Sequence, residues 1–408
     1  MQMDKDVLAI ILAGGAGGRL QPLTRYRAKP SVPFGGKYRI IDFTLSNCLH
    51  SGLRRILVLT QYKSHSLHKH LRDGWSVFNP ELGEYVTPVP AQMRIGEKWY
   101  QGTADAIHQN EYLIRRSSAE WTIILSGDHI YRMDYASMLK THQRLDADAT
   151  VACMKVPVGE ASQFGIMTTD DSRRITRFAE KPKSVEPMAD DPEHALASIG
   201  IYIFSTKLLI EILDADSRDE SSSHDFGKDI LPKLIHSHRV CAHFFGEVEG
   251  RVSPDNYWRD VGTLDSYYQA NMDLLKPVPP MDLYQRDWPI RSYQAQTPPA
   301  RAVPGDSDTE GVFVNSMLAG GTVISGGNVD HSILFQNIFV DDQALISNSV
   351  IFSNVKVGKK ARLNNCIVDK HVVIPDGEVI GFDPAADRDR FTVSENGIIV
   401  IPENYVFE

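Results

Sequence analysis

The amino-acid sequence predicts two structural units, an α/β domain with a mixed, mostly parallel sheet and a C-terminal parallel β-helix. Three apolar runs, at residues 7–13, 55–60 and 122–126, are typical of strands buried on both faces of a parallel sheet. A predicted helix at 41–49 separates the first two runs, and this order begins a doubly wound sheet. Between residues 333 and 379, apolar residues recur at every sixth position, which is typical of stacked hexapeptide coils.

Composition and charge limit the functional classes. The 408 residues carry a formal net charge of -9, and 42% of them are hydrophobic, so the chain can form two or three domains with large cores. The acidic balance argues against general binding to nucleic acid or to an anionic membrane. We find no apolar run of bilayer length, no export signal and no paired or metal-like spacing of the four cysteines. We therefore expect a cytoplasmic protein with reduced thiols.

A glycine-rich, basic segment follows the first predicted strand. Residues 14–20 are Gly-Gly-Ala-Gly-Gly-Arg-Leu, and no acidic residue lies between Val7 and Ile41. Glycines allow main-chain N–H groups to approach an anion, and Arg19 and Lys29 would add charged donors for phosphate oxygens. The spacing fits neither the dinucleotide fingerprint nor the ATPase phosphate loop. We expect a phosphate site here, and the alternative is a glycine-rich turn beside a solvated basic face.

An aspartate follows the third predicted strand. Asp128 comes directly after the run at 122–126, in the sequence Ser-Gly-Asp-His. Ligands of open α/β sheets bind at the carboxyl ends of the strands, where a carboxylate can hold a hard cation. The alternative role is a cap for the next helix. A second aspartate beside a glycine, Asp260, precedes a predicted amphipathic helix at 263–275.

Further along, predicted sheet alternates with loops. Residues 165–179 are predicted to form a hairpin that turns at Asp170 and Asp171. Lys181 follows the hairpin and precedes a proline, so we expect a cation at a strand end or in a loop. Tyr100 stands among aromatic and small residues, where it could form a wall for a flat base or sugar or pack into the core.

Proline-rich sequence separates the two units. We expect the α/β domain at residues 1–276, a linker or wrapping arm at 277–311 and the β-helix at 312–408. An antiparallel sandwich with coincidental spacing is the alternative for the last segment. The predicted interior of the β-helix comprises one series of residues at spacing six and a shifted second series: Ile333, Phe339, Leu345, Ile351, Val357 and Leu363, then Val355, Ala361, Ile367, Val373 and Val379.

Four segments and the hexapeptide pattern together resemble the sugar-nucleotide pyrophosphorylase family. The match runs in the same order through nearly the whole chain. The sequence is similar to the bacterial branch of this family, whose members form ADP-glucose and pyrophosphate from ATP and glucose 1-phosphate for glycogen synthesis. The resemblance implies a Rossmann-like nucleotidyltransferase domain followed by a left-handed β-helix. The segments are Leu12-Ala13-Gly14-Gly15 with Arg19 and Lys29-Pro30, Ser126-Gly127-Asp128-His129-Ile130-Tyr131, Phe178-Ala179-Glu180-Lys181-Pro182 and Trp258-Arg259-Asp260-Val261-Gly262-Thr263.

The resemblance implies roles for particular residues. Arg19, Lys29 and Asp128 would be catalytic, and Asp128 and Asp260 would bind Mg²⁺ that bridges the phosphates. The sugar phosphate is already an anionic nucleophile, so positioning and charge neutralisation would supply most of the catalysis. The implied nucleotide contacts are Gly14, Gly15, Gln92 and Gly102. The implied contacts of glucose 1-phosphate are Tyr100, Gly165, Glu180, Lys181 and Ser198.

The resemblance also implies regulation and assembly. Family members take phosphorylated or carboxylate metabolites at the junction between the two domains, and a homotetramer is the family expectation. Members activated by fructose 1,6-bisphosphate carry cations where this chain has Tyr26, Asp389 and Val393. We therefore expect a less charged activator, such as fructose 6-phosphate or pyruvate. The implied effector residues are Arg27, Arg39 and Arg116.

Three other functions remain open on the sequence. A related synthase could use UTP or dTTP in place of ATP. The same architecture occurs in non-catalytic guanine-exchange subunits of a eukaryotic translation initiation factor, although those should lack the cation and carboxylate set. A hexapeptide acyltransferase would need a catalytic histidine between coils, and His331 and His371 are the candidates within the repeat.

Overall fold

The computed structural model describes residues 6–92, 99–247, 252 and 256–407, and it confirms the predicted fold class. Within those ranges no helix is both long and apolar enough to span a bilayer. The helices are α1 Ile41–His50, α2 His65–Trp75, α3 Thr103–His108, α4 Glu111–Ser117, α5 Tyr135–Arg144, α6 Thr206–Asp216, α7 Leu231–Ser237, α8 Leu264–Met272 and α9 Pro384–Arg390.

The strands fall into two groups. Those of the α/β domain are β1 Val7–Ala13, β2 Pro33–Phe34, β3 Tyr38–Arg39, β4 Arg55–Thr60, β5 Tyr85–Pro90, β6 Trp121–Ser126, β7 His129–Tyr131, β8 Ala149–Pro157, β9 Gly165–Thr169, β10 Ile175–Glu180, β11 His194–Ser205, β12 Val240–Phe244 and β13 Trp258–Asp260. Those of the C-terminal domain are β14 Arg301–Val303, β15 Val312–Val314, β16 Met317–Leu318, β17 Val323–Ser325, β18 Asn328–Asp330, β19 Ile333–Leu334, β20 Phe339–Val340, β21 Leu345–Ser347, β22 Val350–Ile351, β23 Lys356–Val357, β24 Arg362–Asn364, β25 Cys366–Val368, β26 Val373–Ile374, β27 Val379–Ile380, β28 Thr392–Val393 and β29 Ile399–Ile401.

The central sheet has the strand order β10-β9-β11-β6-β1-β4-β5, with β8 and β12 joined through β11. β1 lies between β4 and β6 and is parallel to both, whereas β11 is antiparallel to β6. Leu8 and Ile10 of β1 pack into one hydrophobic core, and Ala9 and Ile11 pack into another on the opposite face. Burial on both faces explains why the predicted strand is continuously apolar.

A short pair of strands lies beside the main sheet. β7 follows β6 after Gly127 and Asp128, and it pairs with β13 in antiparallel register. In this register His129 lies opposite Asp260. The pairing therefore brings together two carboxylates that are far apart in sequence.

The β-helix packs against the segment 20–38 and against α8. Leu20 and Phe34 share one hydrophobic core with the interior of the β-helix. The ring of Tyr267 in α8 lies 6.2 Å from that of Phe34 and 6.5 Å from that of Phe352. These contacts hold the basic segment between the two domains.

Apart from the antiparallel pair β28 and β29, the C-terminal strands stack in parallel as the hexapeptide pattern predicts, which agrees with the left-handed β-helix that the resemblance implies. Each coil takes about 17 residues, since Ile333 pairs with Val350 and Val350 with Ile367. Three hexapeptides would be one residue longer than this coil. A series at a constant spacing of six therefore moves out of register with the inward-facing positions. Residues at the coil corners adopt positive φ, and His331 and His371 are among them, at 44° and 60°.

Because of this change of register, some residues that were predicted to lie in the interior of the β-helix lie on its surface, so that part of the prediction is wrong. Leu345 is 42% exposed, and Val373 and Val379 are 61% and 43% exposed. The residues that face inward follow steps of six, six and five; among them are Leu334, Val340, Ile346, Ile351, Val357, Leu363, Val368, Ile374 and Ile380.

The boundaries at 276 and 311 stay a prediction. Within the proline-rich segment, Met281 and Trp288 are fully buried. The indole N–H of Trp288 donates to the side-chain oxygen of Asn47 at 3.1 Å. Near the end of the segment, Arg301 pairs with Val323 in the first sheet of the β-helix.

The register predicts different consequences for two residues of the same series. Ile351→Ala should lower the free energy of unfolding by about 2–5 kcal/mol, because it leaves a cavity in the β-helix interior. Leu345→Ala should change it by about 0.5 kcal/mol or less, because the side chain lies on the surface. Urea denaturation followed by circular dichroism measures both. Equal losses in the two variants would contradict this register.

Candidate active site

A cleft of about 810 Å³ opens at the carboxyl ends of β1, β4 and β6. Its lining includes the glycine loop after β1, Gln61 after β4, Ser126 at the end of β6 and Asp128 after it. The other side of the cleft is formed by residues 100–103 and 225–227. This is the edge at which open α/β sheets bind ligands, and the volume suits a ligand of nucleotide size.

The glycine loop offers open backbone to the cleft. A Cβ at Gly15 would meet no atom within 4 Å, and Gly15 lines the cleft together with Gly14. Gly17 has φ +62°, and its carbonyl accepts a hydrogen bond from Thr24 Oγ1 at 2.8 Å. A positive φ at this position favours glycine, because a side chain would strain the backbone. The loop thus exposes main-chain groups to a ligand while its far end is fixed.

Lys29 lies between two carboxylates. Its Nζ is 2.9 Å from Asp128 Oδ2 and 2.7 Å from Asp260 Oδ1. Burial by itself would lower the pKa of Lys29, but the two carboxylates outweigh it and raise that pKa. Burial would raise the pKa of Asp128, but Lys29 and a hydrogen bond from Ser126 hold it well below its usual range. Lysine and aspartate therefore stay charged together at neutral pH.

These contacts argue against two of the alternatives that the sequence left open. Lys29 is 7% exposed and Arg27 is 4% exposed, so neither belongs to a solvated basic face. β7 rather than a helix follows Asp128, so the helix-cap alternative is wrong. Arg19 lies on the same side of the cleft as Asp260. A Cβ at Gly262 would be 3.1 Å from Arg19 Nη2 and 2.9 Å from Asp260 Oδ2.

The carboxylate pair fits a divalent cation. One ligand atom from each of Asp128, His129 and Asp260 lies within 4.8 Å of the other two. Carboxylate oxygens are the ligands that Mg²⁺ prefers, and it usually binds one or two of them together with substrate phosphates. Two carboxylates and one ammonium leave a net charge of about -1, which a divalent cation would reverse.

Glu180 forms part of the opposite wall. Its Oε2 lies close to two backbones: a Cβ at Gly165 would be 2.7 Å away, and one at Gly227 would be 2.6 Å away. Lys181 Nζ is 3.4 Å from Glu180 Oε1, and the Lys181 side chain is 66% exposed. The pKa of Glu180 is raised by burial and further by Asp225, against the opposing effect of Lys181.

The other predicted contacts are distributed unevenly. Tyr100 and Gly102 line the cleft, and Tyr100 Oη accepts a hydrogen bond from Asn110 at 2.8 Å. Within the described part of the chain, four of the predicted contacts are not among the lining residues: Gln92, Gly165, Lys181 and Ser198. Gln92 follows the edge strand β5, and Ser198 Oγ accepts a hydrogen bond from the Gly200 N–H at 3.3 Å.

Sequence reasoning missed several residues of this cleft. The segment 223–227 carries none of the motifs described above, but residues 225–227 line the site. An aspartate followed by an aromatic residue and a glycine was the available signal. The missed lining residues include Gln61, His129, Tyr202, Asp225, Phe226 and Gly227.

Arg27 lies at the contact between the domains, two residues from Lys29. Its guanidinium donates to Asp369 Oδ1 at 3.0 Å and to Glu403 Oε2 at 2.7 Å, and both acids belong to the β-helix domain. Burial, Arg27 and Arg39 lower the pKa of the nearby Lys370 to about 8. The interface therefore holds a basic cluster that two carboxylates partly neutralise.

The two other predicted effector arginines differ in their surroundings. Arg39 Nη1 donates to the backbone oxygen of Ser66 at 2.9 Å and to its hydroxyl at 2.8 Å. Burial lowers the pKa of Arg39, partly opposed by Asp42, and the charge of Arg27 lowers it further. Arg116 lies exposed near the end of α4.

Comparisons with known proteins cover both domains. A family model described as nucleotidyl transferase matches residues 8–277, and one described as GlmU-like C-terminal hexapeptide matches residues 298–401. Glucose-1-phosphate adenylyltransferase 2 of Vibrio cholerae serotype O1 is 60% identical over 403 residues, which are 99% of this chain and 99% of the relative. The Vibrio vulnificus protein of that name is 61% identical over 403 residues, which are 99% and 100% of the two chains.

A more distant relative matches over a similar length. Glucose-1-phosphate adenylyltransferase of Methylobacillus flagellatus is 48% identical over 400 residues, which are 98% of this chain and 94% of the relative. Nucleotidyl transferases generally work with a divalent metal, which agrees with the carboxylate pair in the cleft. The chain belongs to the glucose-1-phosphate adenylyltransferase family of nucleotidyl transferases.

Proposed function

We propose that this protein transfers AMP from ATP to glucose 1-phosphate and releases ADP-glucose and pyrophosphate, as the committed step of glycogen synthesis. One observation carries the proposal: the ammonium of Lys29 joins Asp128 and Asp260 in a cleft lined by the glycine loop. In this proposal a phosphate-binding loop and a divalent-cation site are adjacent. The names of the relatives support the choice of substrates.

The reaction needs charge neutralisation more than proton transfer. A phosphate oxygen of glucose 1-phosphate attacks the α-phosphorus of ATP, and the bond to the bridging oxygen breaks as pyrophosphate leaves. Arg19 and Lys29 bind the phosphates and offset their charge, which preorganised groups do without reorganisation. Mg²⁺ held by Asp128 and Asp260 would supply further Lewis-acid neutralisation. Asp128 and Asp260 raise the pKa of Lys29, so its ammonium is charged at neutral pH.

In this proposal the phosphates of the nucleotide lie along the glycine loop, and the sugar lies along the opposite wall. The glycine loop binds those phosphates through Gly14 and Gly15, and Gln92 and Gly102 lie near the adenine. The wall around Glu180 holds glucose 1-phosphate, through Tyr100, Gly165, Glu180, Lys181 and Ser198. Carboxylates at such a wall can accept hydrogen bonds from sugar hydroxyls, and a lysine can bind the phosphate.

We further propose regulation at the domain contact and assembly into a homotetramer. Arg27, Arg39 and Arg116 would bind a phosphorylated or carboxylate metabolite. Asp369 and Glu403 already pair with Arg27, so less positive charge remains for an effector with two phosphates. Light scattering on the purified protein tests the tetramer.

The activity is tested against its alternatives in one assay. Purified protein is incubated with glucose 1-phosphate, Mg²⁺ and ATP, UTP or dTTP in turn, and the sugar nucleotide is quantified. Formation of ADP-glucose at the highest kcat/KM supports the proposal, and a preference for UTP or dTTP contradicts it. A non-catalytic homologue would form no product with any nucleotide.

The metal role predicts a specific loss of turnover. Asp128→Asn should lower kcat by about 100-fold or more, because the amide removes one of the charges that hold the cation. Asp171→Asn, at an exposed turn, is the matched control and should keep full activity. Circular dichroism checks that both variants fold. Near-normal turnover of Asp128→Asn would refute the metal role.

The raised pKa of Glu180 predicts a pH effect on the sugar substrate alone. As the pH falls, Glu180 takes up its proton earlier than an ordinary glutamate, whose pKa is about 4.3. As the pH is lowered, kcat/KM for glucose 1-phosphate should begin to fall at a pH above about 4.3. The pH profile of kcat/KM for ATP should lack this acid limb. Glu180→Gln should abolish the limb. Its persistence in that variant would contradict the assignment.

Effector preference can be measured by pyrophosphorolysis. Fructose 6-phosphate or pyruvate should raise the rate more than fructose 1,6-bisphosphate does, because Arg27 already pairs with two carboxylates. Arg116→Ala should weaken activation and keep the basal rate. Arg218→Ala, another exposed arginine, should change neither. Strong activation by the bisphosphate would overturn this preference.

A further inference from the structure

The first residue of α3 joins two walls of the cleft. Thr103 Oγ1 donates a hydrogen bond to Asp225 Oδ2 at 3.0 Å and accepts one from the Phe226 N–H at 3.1 Å. The backbones meet beside this contact, where the Ala104 N–H donates to the His224 oxygen at 2.8 Å. Thr103, Asp225 and Phe226 all line the cleft.

The close approach depends on the glycine before Thr103. A Cβ at Gly102 would lie 2.2 Å from the His224 oxygen and 2.5 Å from the Ser223 oxygen. Both contacts are with backbone, so no side-chain movement could relieve them. The start of α3 and the loop 223–227 therefore form one continuous wall.

The hydroxyl of Thr103 serves the loop and not its own helix. Gly102 is the N-cap residue of α3, and no side chain caps that helix. Asp225 Oδ1 is occupied by the N–H groups of Gly227 and Lys228, at 3.0 and 3.1 Å. Thr103 fixes the other oxygen, so together these donors set both the position and the rotation of the carboxylate.

Asp225 and Glu180 lie close enough for the charge of Asp225 to act on Glu180. Gly227 lies between them along the wall, since a Cβ there would be 2.6 Å from Glu180 Oε2 and 3.5 Å from Asp225 Oδ1. Two carboxylates on one wall of a cleft can accept hydrogen bonds from several hydroxyls of one sugar. Such recognition needs each carboxylate in a fixed orientation.

We propose that Thr103 is a positioning residue for sugar recognition: it holds Asp225 so that this carboxylate, together with Glu180, accepts hydrogen bonds from the hydroxyls of the sugar phosphate. The inference rests on the proposed function, because it assigns the sugar to this wall. Thr103 acts through Asp225 and leaves the reacting phosphates to other residues. Its loss should therefore weaken sugar binding more than it affects nucleotide binding.

Two substitutions separate the hydroxyl from the shape of the side chain. Thr103→Val keeps the volume and removes the hydroxyl, and Thr103→Ser keeps the hydroxyl. We expect Thr103→Val to raise KM for glucose 1-phosphate by about tenfold, with KM for ATP within about twofold of the wild type. Thr103→Ser should stay within about twofold for both substrates.

A matched control removes another buried hydroxyl. Thr206 Oγ1 hydrogen-bonds Thr122 Oγ1 at 2.9 Å, away from the residues that line the cleft. Thr206→Val should lower the thermal unfolding temperature and leave both KM values unchanged. If Thr103→Val also changes only the unfolding temperature, or raises both KM values equally, its role is structural and the proposal is wrong.

Deoxy sugars test the route through a hydroxyl. Suppose that Asp225 accepts a hydrogen bond from one particular hydroxyl. For the deoxy analogue without that hydroxyl, Thr103→Val should then raise KM by a smaller factor than it does for glucose 1-phosphate. Equal losses with the 2-, 3-, 4- and 6-deoxy analogues would overturn the proposal. Failure of the wild type to form ADP-glucose refutes the proposed function. An active wild type with an unaffected Thr103→Val variant refutes only this inference.

Discussion

The cleft depends on one buried contact, in which the ammonium of Lys29 binds Asp128 and Asp260. The lysine comes from the segment after the glycine loop, and the aspartates come from β6–β7 and from β13. A buried lysine is unfavourable without an opposite charge beside it. The two carboxylates therefore stabilise the lysine and hold the segment after the glycine loop against β6–β7 and β13. The same contact places opposite charges where phosphates and a divalent cation would meet.

The β-helix fixes the segment that supplies this lysine. Leu20 and Phe34 are buried in the core that the two domains share, and Arg27 is paired with Asp369 and Glu403. Lys29 lies between these fixed residues in the sequence, so a shift of the domain contact would move its Nζ. A buried ion pair is weak support for stability but a strong constraint on geometry. Any ligand that competes for Arg27 would therefore act close to the cleft.

The opposite wall has a different construction. There, the start of α3 and the loop 223–227 approach through Gly102, and Thr103 bonds to Asp225. On this wall, uncharged hydroxyl and backbone N–H donors orient the carboxylate of Asp225. On the other side, the Lys29 ammonium orients the carboxylates of Asp128 and Asp260. The difference suits the ligands that we propose, because a sugar offers hydroxyl donors and a nucleotide offers phosphate charge.

The sequence by itself determined the features that depend on short stretches of chain. Alternating burial of β1 on two faces, the glycine loop, the strand-end position of Asp128 and the stacked coils all follow from local pattern. Tertiary structure decided the rest. Lys29 and Asp260 are 231 residues apart and meet only through the pairing of β7 with β13, which no spacing reveals. Likewise, coil closure in 17 residues turned Leu345 outward, and the packing of the loop 223–227 against α3 brought Asp225 to the cleft. Both outcomes depend on three-dimensional packing.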